Sequence, residues 1–310
     1  MCRHLNFVFL LKTYTDARIR KISKERIQAE LDKRNIIIVA GFQGINSFGD
    51  VTTLGRGGSD TSAVALAAAF HADLCQIYTD VDGVYTADPR VVPNAKKLPE
   101  ITFADMLELA SQSAQVLHNR SVELAKKYHV NMEVVSSLKN IPGTKVKEVI
   151  KLEKTNIGGV AKMDNFARFS LVGLEDCPGV AFKVFSLLSR HNVNVDIILQ
   201  SVGRGGSKDI SFTCPLSSLD DARRVLEENK DMLEYDSIEV DDNVAKISLV
   251  GAGMMTHVGV ASDMFEALYD AGINIQMIAT SEIRISVLVN KDDANRAIKV
   301  VHDKFSGNED

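Results

Sequence analysis

The sequence predicts an α/β segment over roughly the first half of the chain, followed by two small α+β units. Three observations carry this. Apolar strand-like runs alternate with helical patterns up to about residue 150. A glycine-punctuated loop, Thr52–Ser62, stands directly before an alanine-rich helix. Residues 168–310 hold an internal repeat, visible within this one chain.

In chain order, residues 16–34 place Ile19, Ile22, Ile27 and Leu31 at helical spacing among charges, which predicts an amphipathic helix. Ile36-Ile37-Ile38-Val39-Ala40, closed by Gly41, predicts a strand inside a parallel sheet. A helix over Ser59–Phe70 follows, then a strand over Leu74–Thr79 that ends at the acidic turn Asp80-Val81-Asp82-Gly83. Thr102 with Asp105 forms a capping-box-like start for a helix through Leu117. Ser121–Tyr128 predicts a further helix and Met132–Ser136 a strand.

In the repeat, Leu171-Val172-Gly173 matches Leu249-Val250-Gly251, and Gly179-Val180-Ala181 matches Gly259-Val260-Ala261. Phe185 and Leu188 match Phe265 and Leu268, and Val193–Ile198 matches Ile273–Ile278. Each copy is expected to be a small α+β unit of strand, helix, strand, strand, helix. The expected boundaries are a tail over 1–14, an α/β domain over 15–150, a linker over 151–167, and units over 168–235 and 236–310.

Composition narrows the function. Hydrophobic residues at 45% and charged residues at 25% belong to a globular chain, not a disordered one. A net charge of -5 excludes nucleic acid as the main partner, because phosphate binding needs a basic face. The apolar run Phe7–Leu11 is too short to cross a bilayer, so no membrane partner is expected. Cys2, Cys75, Cys177 and Cys214 form no metal-ligand spacing and are expected to be reduced thiols in the cytoplasm.

Two loops carry chemistry. In Leu54-Gly55-Arg56-Gly57-Gly58-Ser59-Asp60, backbone N–H groups at a helix start form an anion site, and Arg56 adds a fork that fits a carboxylate or phosphate. The Walker spacing is not present. The second loop, Tyr78 to Arg90, clusters carboxylates and hydroxyls after a buried strand, where open α/β sheets bind ligands. Asp80 or Asp82 would face a metal-bound nucleotide, and Arg90 would neutralise phosphate charge. His71, His118, His129, His191 and His257 have no nucleophile partner in sequence and are expected to fill surface or core.

With these loops, the segment Val39–Arg90 resembles the catalytic core of the aspartate kinase branch of the amino-acid kinase family. The resemblance continues through Met106–Ala110 and Arg120–Ala125, and the tandem repeat resembles a pair of ACT regulatory domains. It implies the C-terminal part of an amino-acid kinase fold, a parallel-type sheet between helices, followed by two ferredoxin-like βαββαβ units. It implies transfer of phosphoryl from ATP, with Mg2+, to L-aspartate, the first step toward lysine, threonine and methionine. By matching motifs, Arg56, Gly57, Gly58 and Ser59 would hold aspartate, and Thr79, Asp80, Tyr85, Asp88 and Arg90 would hold ATP. Lysine or threonine would bind where the ACT units pair. The expected residues are Asp176, Gly179, Ala181, Asn194, Asp196 and Gln200 in the first unit, and Val260, Ala261, Asn274, Ile275, Gln276 and Ala279 in the second. The family also implies a homo-oligomer through ACT pairing, and a first unit inserted in the second, so that Ile157–Lys162 belongs with the C-terminal unit.

Three departures stand against the family pattern. No Lys-Phe-Gly-Gly strand is present, and the pattern is joined only near Thr15-Asp16, which leads to the expectation of a truncated catalytic domain that phosphorylates aspartate poorly by itself. Ser113 and Gln115 stand where the family usually has glycine and lysine, and Val258 stands where it often has proline. The alternative expectation is a non-catalytic, amino-acid-binding regulatory chain.

Overall fold

A computed structural model describes residues 8–10, 14–111, 116–148, 158–201, 203, 205–251, 254 and 258–306. The chain divides into two compact units, residues 1–159 with 250–253, and residues 160–249 with 254–310. Ser113, Gln115, Ile157 and His257 lie outside the described residues.

The first unit opens with β1 (Val8–Leu10), β2 (Ile19–Ile22), α1 (Glu25–Leu31), β3 (Gln43–Ile45) and β4 (Val51–Thr53). Then come α2 (Gly58–Phe70), β5 (Cys75–Thr79), β6 (Glu100–Thr102), α3 (Phe103–Ser111), α4 (Asn119–Tyr128), β7 (Met132–Ser136) and β8 (Thr144–Lys147). They build two four-stranded sheets, ordered β2-β1-β3-β4 and β5-β7-β8-β6.

Several expectations are corrected here. The supposed tail contributes β1, antiparallel to β2 and parallel to β3, and Val8 packs with Ala17 and Leu54. The single helix over 16–34 is a strand and a short helix, because Ile19 packs on that same small cluster while Ile27 is buried from α1. Ile36–Ala40 forms no strand, and Ile36 and Ile38 are each 95% exposed. β-branched composition marks a surface suited to a sheet, but a strand needs a hydrogen-bonded neighbour, and these residues pair with no described one. The helix starting at Phe103 is described through Ser111 and does not reach Leu117, which lies in a bend.

The second unit contains β9 (Gly159–Met163), β10 (Phe166–Glu175), α5 (Val180–Arg190), β11 (Ile198–Gln200), β12 (Ser207–Pro215), α6 (Leu219–Glu228), α7 (Lys230–Leu233) and β13 (Ser237–Asp241). Then follow β14 (Val244–Val250), α8 (Val260–Asp270), β15 (Met277–Ser281), β16 (Arg284–Asn290) and α9 (Ala294–Ser306). The sheets are ordered β11-β12-β10-β13 and β15-β16-β14-β9. Numbered within each copy, both run second, third, first, fourth, as in a ferredoxin-like unit.

β9 therefore completes the second copy from upstream of the first, as the resemblance implied for Ile157–Lys162. The linker over 151–167 is corrected accordingly, since β9 and the start of β10 fall within it. The boundary at 236 is corrected too. β13 pairs with β10, Arg168 opposite Asp241, so the first copy runs on to Asp241.

The repeat is also a repeat of packing. α5 buries Val180, Val184, Leu187 and Leu188, and α8 buries Val260, Met264, Ala267 and Leu268 at the same spacing. Phe169 and Phe212 stack at 5.2 Å in the first core, with Phe185 edge-on to Phe212 at 5.8 Å. A smaller cluster joins the copies, where Phe166 and Ile197 pack with Val244, Met277 and Leu288.

Candidate active site

The loop before α2 turns on two left-handed glycines, Gly55 at φ 78° and Gly57 at φ 68°. Gly57 is needed twice over. A Cβ there would lie 2.3 Å from the Cβ of His118, so only glycine lets the loop meet the start of α4. The hydroxyls behind it fasten the helix start. Ser62 Oγ donates to the Gly58 carbonyl at 2.7 Å and accepts from the Phe42 N–H at 3.0 Å, while Thr61 Oγ1 donates to the Gly57 carbonyl at 3.0 Å.

Arg120 braces the loop from α4. Its guanidinium donates to the carbonyls of Leu54 at 2.7 Å and Ala17 at 2.9 Å, and to Asp16 Oδ1 at 3.2 Å. His118 caps α4, its Nδ1 accepting from the Arg120 N–H at 3.3 Å, which leaves Nε2 to carry the proton.

These pieces border an open cavity of about 440 Å³ lined by Arg56, Gly57, Asp60, Ser111, Leu117 and His118, among others. Burial pushes the Asp60 carboxyl above its ordinary value, against the Ser59 hydroxyl and the neighbouring His118, which pull it down. A carboxyl, an imidazole and a guanidinium around one small cavity can bind a carboxylate and manage a proton beside it. Of the four residues expected at this loop, Arg56 and Gly57 line the cavity; Gly58 is buried against Leu54 and Phe42, and Ser59 is exposed at the helix start. His118, expected as filler, is corrected to a cavity wall. Asp60 had not been singled out. Position was the missed signal for His118, since it immediately precedes a helix and caps it.

The second loop grows from the carboxyl ends of β5 and β7, which pair in parallel. Ser137 ties the strand ends, its N–H and Oγ donating to the Thr79 carbonyl at 2.8 and 2.9 Å. Thr79 Oγ1 donates to Asp80 Oδ1 at 3.1 Å. Asp82 accepts from Tyr85 OH at 2.9 Å and faces Lys139 Nζ at 3.4 Å; the tyrosine hydroxyl first, then the lysine, holds its carboxyl below the usual range. Lys97 Nζ donates to the Pro142 carbonyl at 2.8 Å. Arg90 grips Asp88 through Nε at 3.0 Å and Nη2 at 2.8 Å, so its fork is already engaged. Lys139 and Lys97, which sequence reading missed, bring further positive charge to the same loops.

In the second unit, Asp176 pairs with Lys208 at 2.6 Å, and its N–H bonds the Gly206 carbonyl at 2.8 Å. Gly179 and Gly259 open α5 and α8 at φ 96° and 107°, with Ala181, Val260 and Ala261 in the first turns. Asn194, Gln200 and Asn274 are exposed, and Ile275 is half-buried. Asp196 pairs with the buried Lys246. Its N–H bonds Thr213 O at 3.0 Å, as the Gln276 N–H bonds Leu288 O at 2.8 Å. Ala279 packs on the cluster that contains Ile197, so Asp196 and Gln276 lead into strands meeting at one apolar seam.

Among the described residues, no helix is long and apolar enough to cross a membrane, and no group of three His, Cys, Asp or Glu side chains could hold a metal ion.

Comparison with known proteins matches residues 3–136 to the amino acid kinase family, and residues 169–229 and 247–305 to the ACT domain. The match from residue 3 agrees with β1 being part of the fold. The aspartokinase of Corynebacterium efficiens is 47% identical over 304 residues, covering 96% of this chain and 72% of that protein. That of Corynebacterium glutamicum is 47% identical over 310 residues, covering 98% and 74%. Among solved structures, Clostridium acetobutylicum aspartate kinase superposes with a TM-score of 0.83 at 28% identity, covering 97% of this chain and 69% of that one. E. coli aspartokinase III in complex with aspartate and ADP superposes with a TM-score of 0.81 at 29% identity, covering 97% and 68%. With a shared kinase core, a shared regulatory repeat and near-half identity over most of its length, the chain belongs to the aspartokinase family.

Proposed function

We propose that this chain transfers the terminal phosphoryl group of ATP to the side-chain carboxylate of L-aspartate, giving 4-phospho-L-aspartate under feedback control by lysine or threonine. The observation that carries the reading is the cavity at the start of α2, where Arg56, Asp60 and His118 surround a glycine-shaped anion site. It favours a kinase over a purely regulatory chain, which has no use for such a cavity. The complex of E. coli aspartokinase III with aspartate and ADP supports both ligands, and its complex with lysine and aspartate supports an amino-acid effector.

Arg56 pairs a substrate carboxylate through its planar fork. The N–H groups at the start of α2 add partial positive charge. Asp60 receives the ammonium side of the amino acid, and His118 Nε2–H donates to an oxygen of the reacting carboxylate. Thr79, Asp80, Tyr85 and Asp88 shape the nucleotide loop, with Lys139 and Lys97 offsetting phosphate charge. Mg2+, when bound, neutralises the phosphate oxygens. Asp80 fits it, because magnesium is usually held by one or two carboxylates and the phosphates themselves. Paired ACT units would join copies of the chain, with the edge strands β11 and β15 exposing Ile198, Leu199 and Ile278. The free thiols of Cys75, Cys177 and Cys214 support a cytoplasmic location.

Hydroxylamine converts an acyl phosphate to a stable hydroxamate. With ATP, Mg2+ and L-aspartate the chain should yield aspartyl hydroxamate, slowly as expected without the Lys-Phe-Gly-Gly strand, and Arg56→Ala should lose it. ATP cleavage with no aspartate-dependent hydroxamate would overturn the assignment.

A further inference from the structure

Lys246 stands on the central strand β14 with its side chain only 2% exposed, and its ammonium sits on Asp196 Oδ2, at the entry to β11 of the other copy. The Phe166 ring lies 5.9 Å from the same ammonium. A buried cation demands a partner, and Asp196 supplies it. The Asp196 side chain nevertheless remains 44% exposed. A carboxylate offers about four acceptor sites on its two oxygens, so Asp196 keeps acceptor capacity toward solvent.

The corresponding positions of the second copy hold no such pair. Gln276 stands at the position of Asp196. Aligning Leu171 with Leu249 sets Arg168 at the position of Lys246, and Arg168 faces Asp241 within its own sheet at 3.6 Å. At these aligned positions, a cation held across the seam belongs to the first site.

We propose that Lys246 sets ligand selectivity at the first regulatory site, by neutralising Asp196 so that the site accepts zwitterionic amino acids and rejects plain ammonium ions. This rests on the effector reading given above. A bare carboxylate at a half-exposed edge attracts any amine. Joined to a buried ammonium it becomes a neutral dipole, which attracts a group carrying both charges and offers little to a lone cation. Lys246 is a positioning residue, since it acts on the ligand through Asp196.

Calorimetry on the full chain tests this with matched ligands. L-threonine is compared with 1-amino-2-propanol, which is threonine without its carboxylate, and L-lysine with cadaverine. The native chain should prefer each amino acid, and Lys246→Met should narrow that preference by about tenfold or more. Lys246→Arg, which restores the charge, should restore the preference. Should Lys246→Met fail to fold, Asp196→Asn decides. It removes the carboxylate while keeping the Lys246 charge, and should strengthen 3-hydroxybutyrate, threonine without its ammonium, relative to L-threonine. A purely structural pair would shift the melting temperature and leave these ratios unchanged, and that result overturns the proposal. Absence of heat with every amino acid on the native chain would remove the effector reading itself, and the proposal with it.

Discussion

At the scale of single residues, glycines and the groups they admit decide the site. Gly57→Ala sets a Cβ at positive φ and against His118, so it should destabilise the chain by about 1–3 kcal/mol, measured by urea unfolding, and weaken aspartate binding as well. Asp60 gives a pH prediction. Its folded value is raised by burial above the unfolded carboxylate value of about 3.9, so the folded state holds the proton to higher pH. Stability attributable to this group is greatest below the unfolded value and falls as pH rises through the folded one. Asp60→Asn should flatten that part of a stability curve measured from acid to neutral pH; an unchanged curve would show that burial does not perturb this carboxyl. Arg56, Gly57 and the anion loop were legible in the sequence because glycine spacing before a helix has one main physical use. His118 was not, since its value comes from facing Gly57, sixty-one positions away in the chain.

At the scale of elements, what could be read was what is locally determined. β5, β7, α2 and α4 fall within a residue or two of their expected places, because each has a long apolar pattern between clear stops. The three-residue strands β3, β4 and β6 have no pattern long enough to read, and exist through their partners. Ile36–Ala40 is the converse, a strand-like composition with no described ladder to join. The capping box at α3 was legible and is reciprocal in part. Thr102 Oγ1 accepts from the Asp105 N–H at 3.0 Å and donates to Asp105 Oδ2 at 2.8 Å. Thr102→Ala should cost about 1 kcal/mol in denaturant unfolding. β9 carries a sharper test. A fragment over 158–310 keeps the fourth strand of the second ACT sheet, whereas one over 166–310 lacks it, so the shorter fragment should melt lower and expose β14. Equal melting temperatures would mean that β9 adds nothing to that sheet.

At the scale of the whole molecule, a kinase core and a duplicated regulatory fold share one chain, and each needed a different kind of reading. The duplication was visible as matched residues, whereas the placement of β9 was legible only through the family resemblance, because strand order is set by distant pairing and enters the sequence only as one short apolar run. The cavity in the first unit and the Asp196–Lys246 seam in the second have separate residues, so ligands at the two should be separable by mutation. The most direct measurement is a calorimetric titration of L-aspartate into the chain in the presence of Mg2+ and a non-hydrolysable ATP analogue. One aspartate per chain should bind, Arg56→Ala should weaken it by about tenfold or more, and Asp196→Asn should leave it unchanged. Aspartate binding that survives Arg56→Ala intact, or no binding to the native chain, would contradict the assignment of this cavity to the substrate.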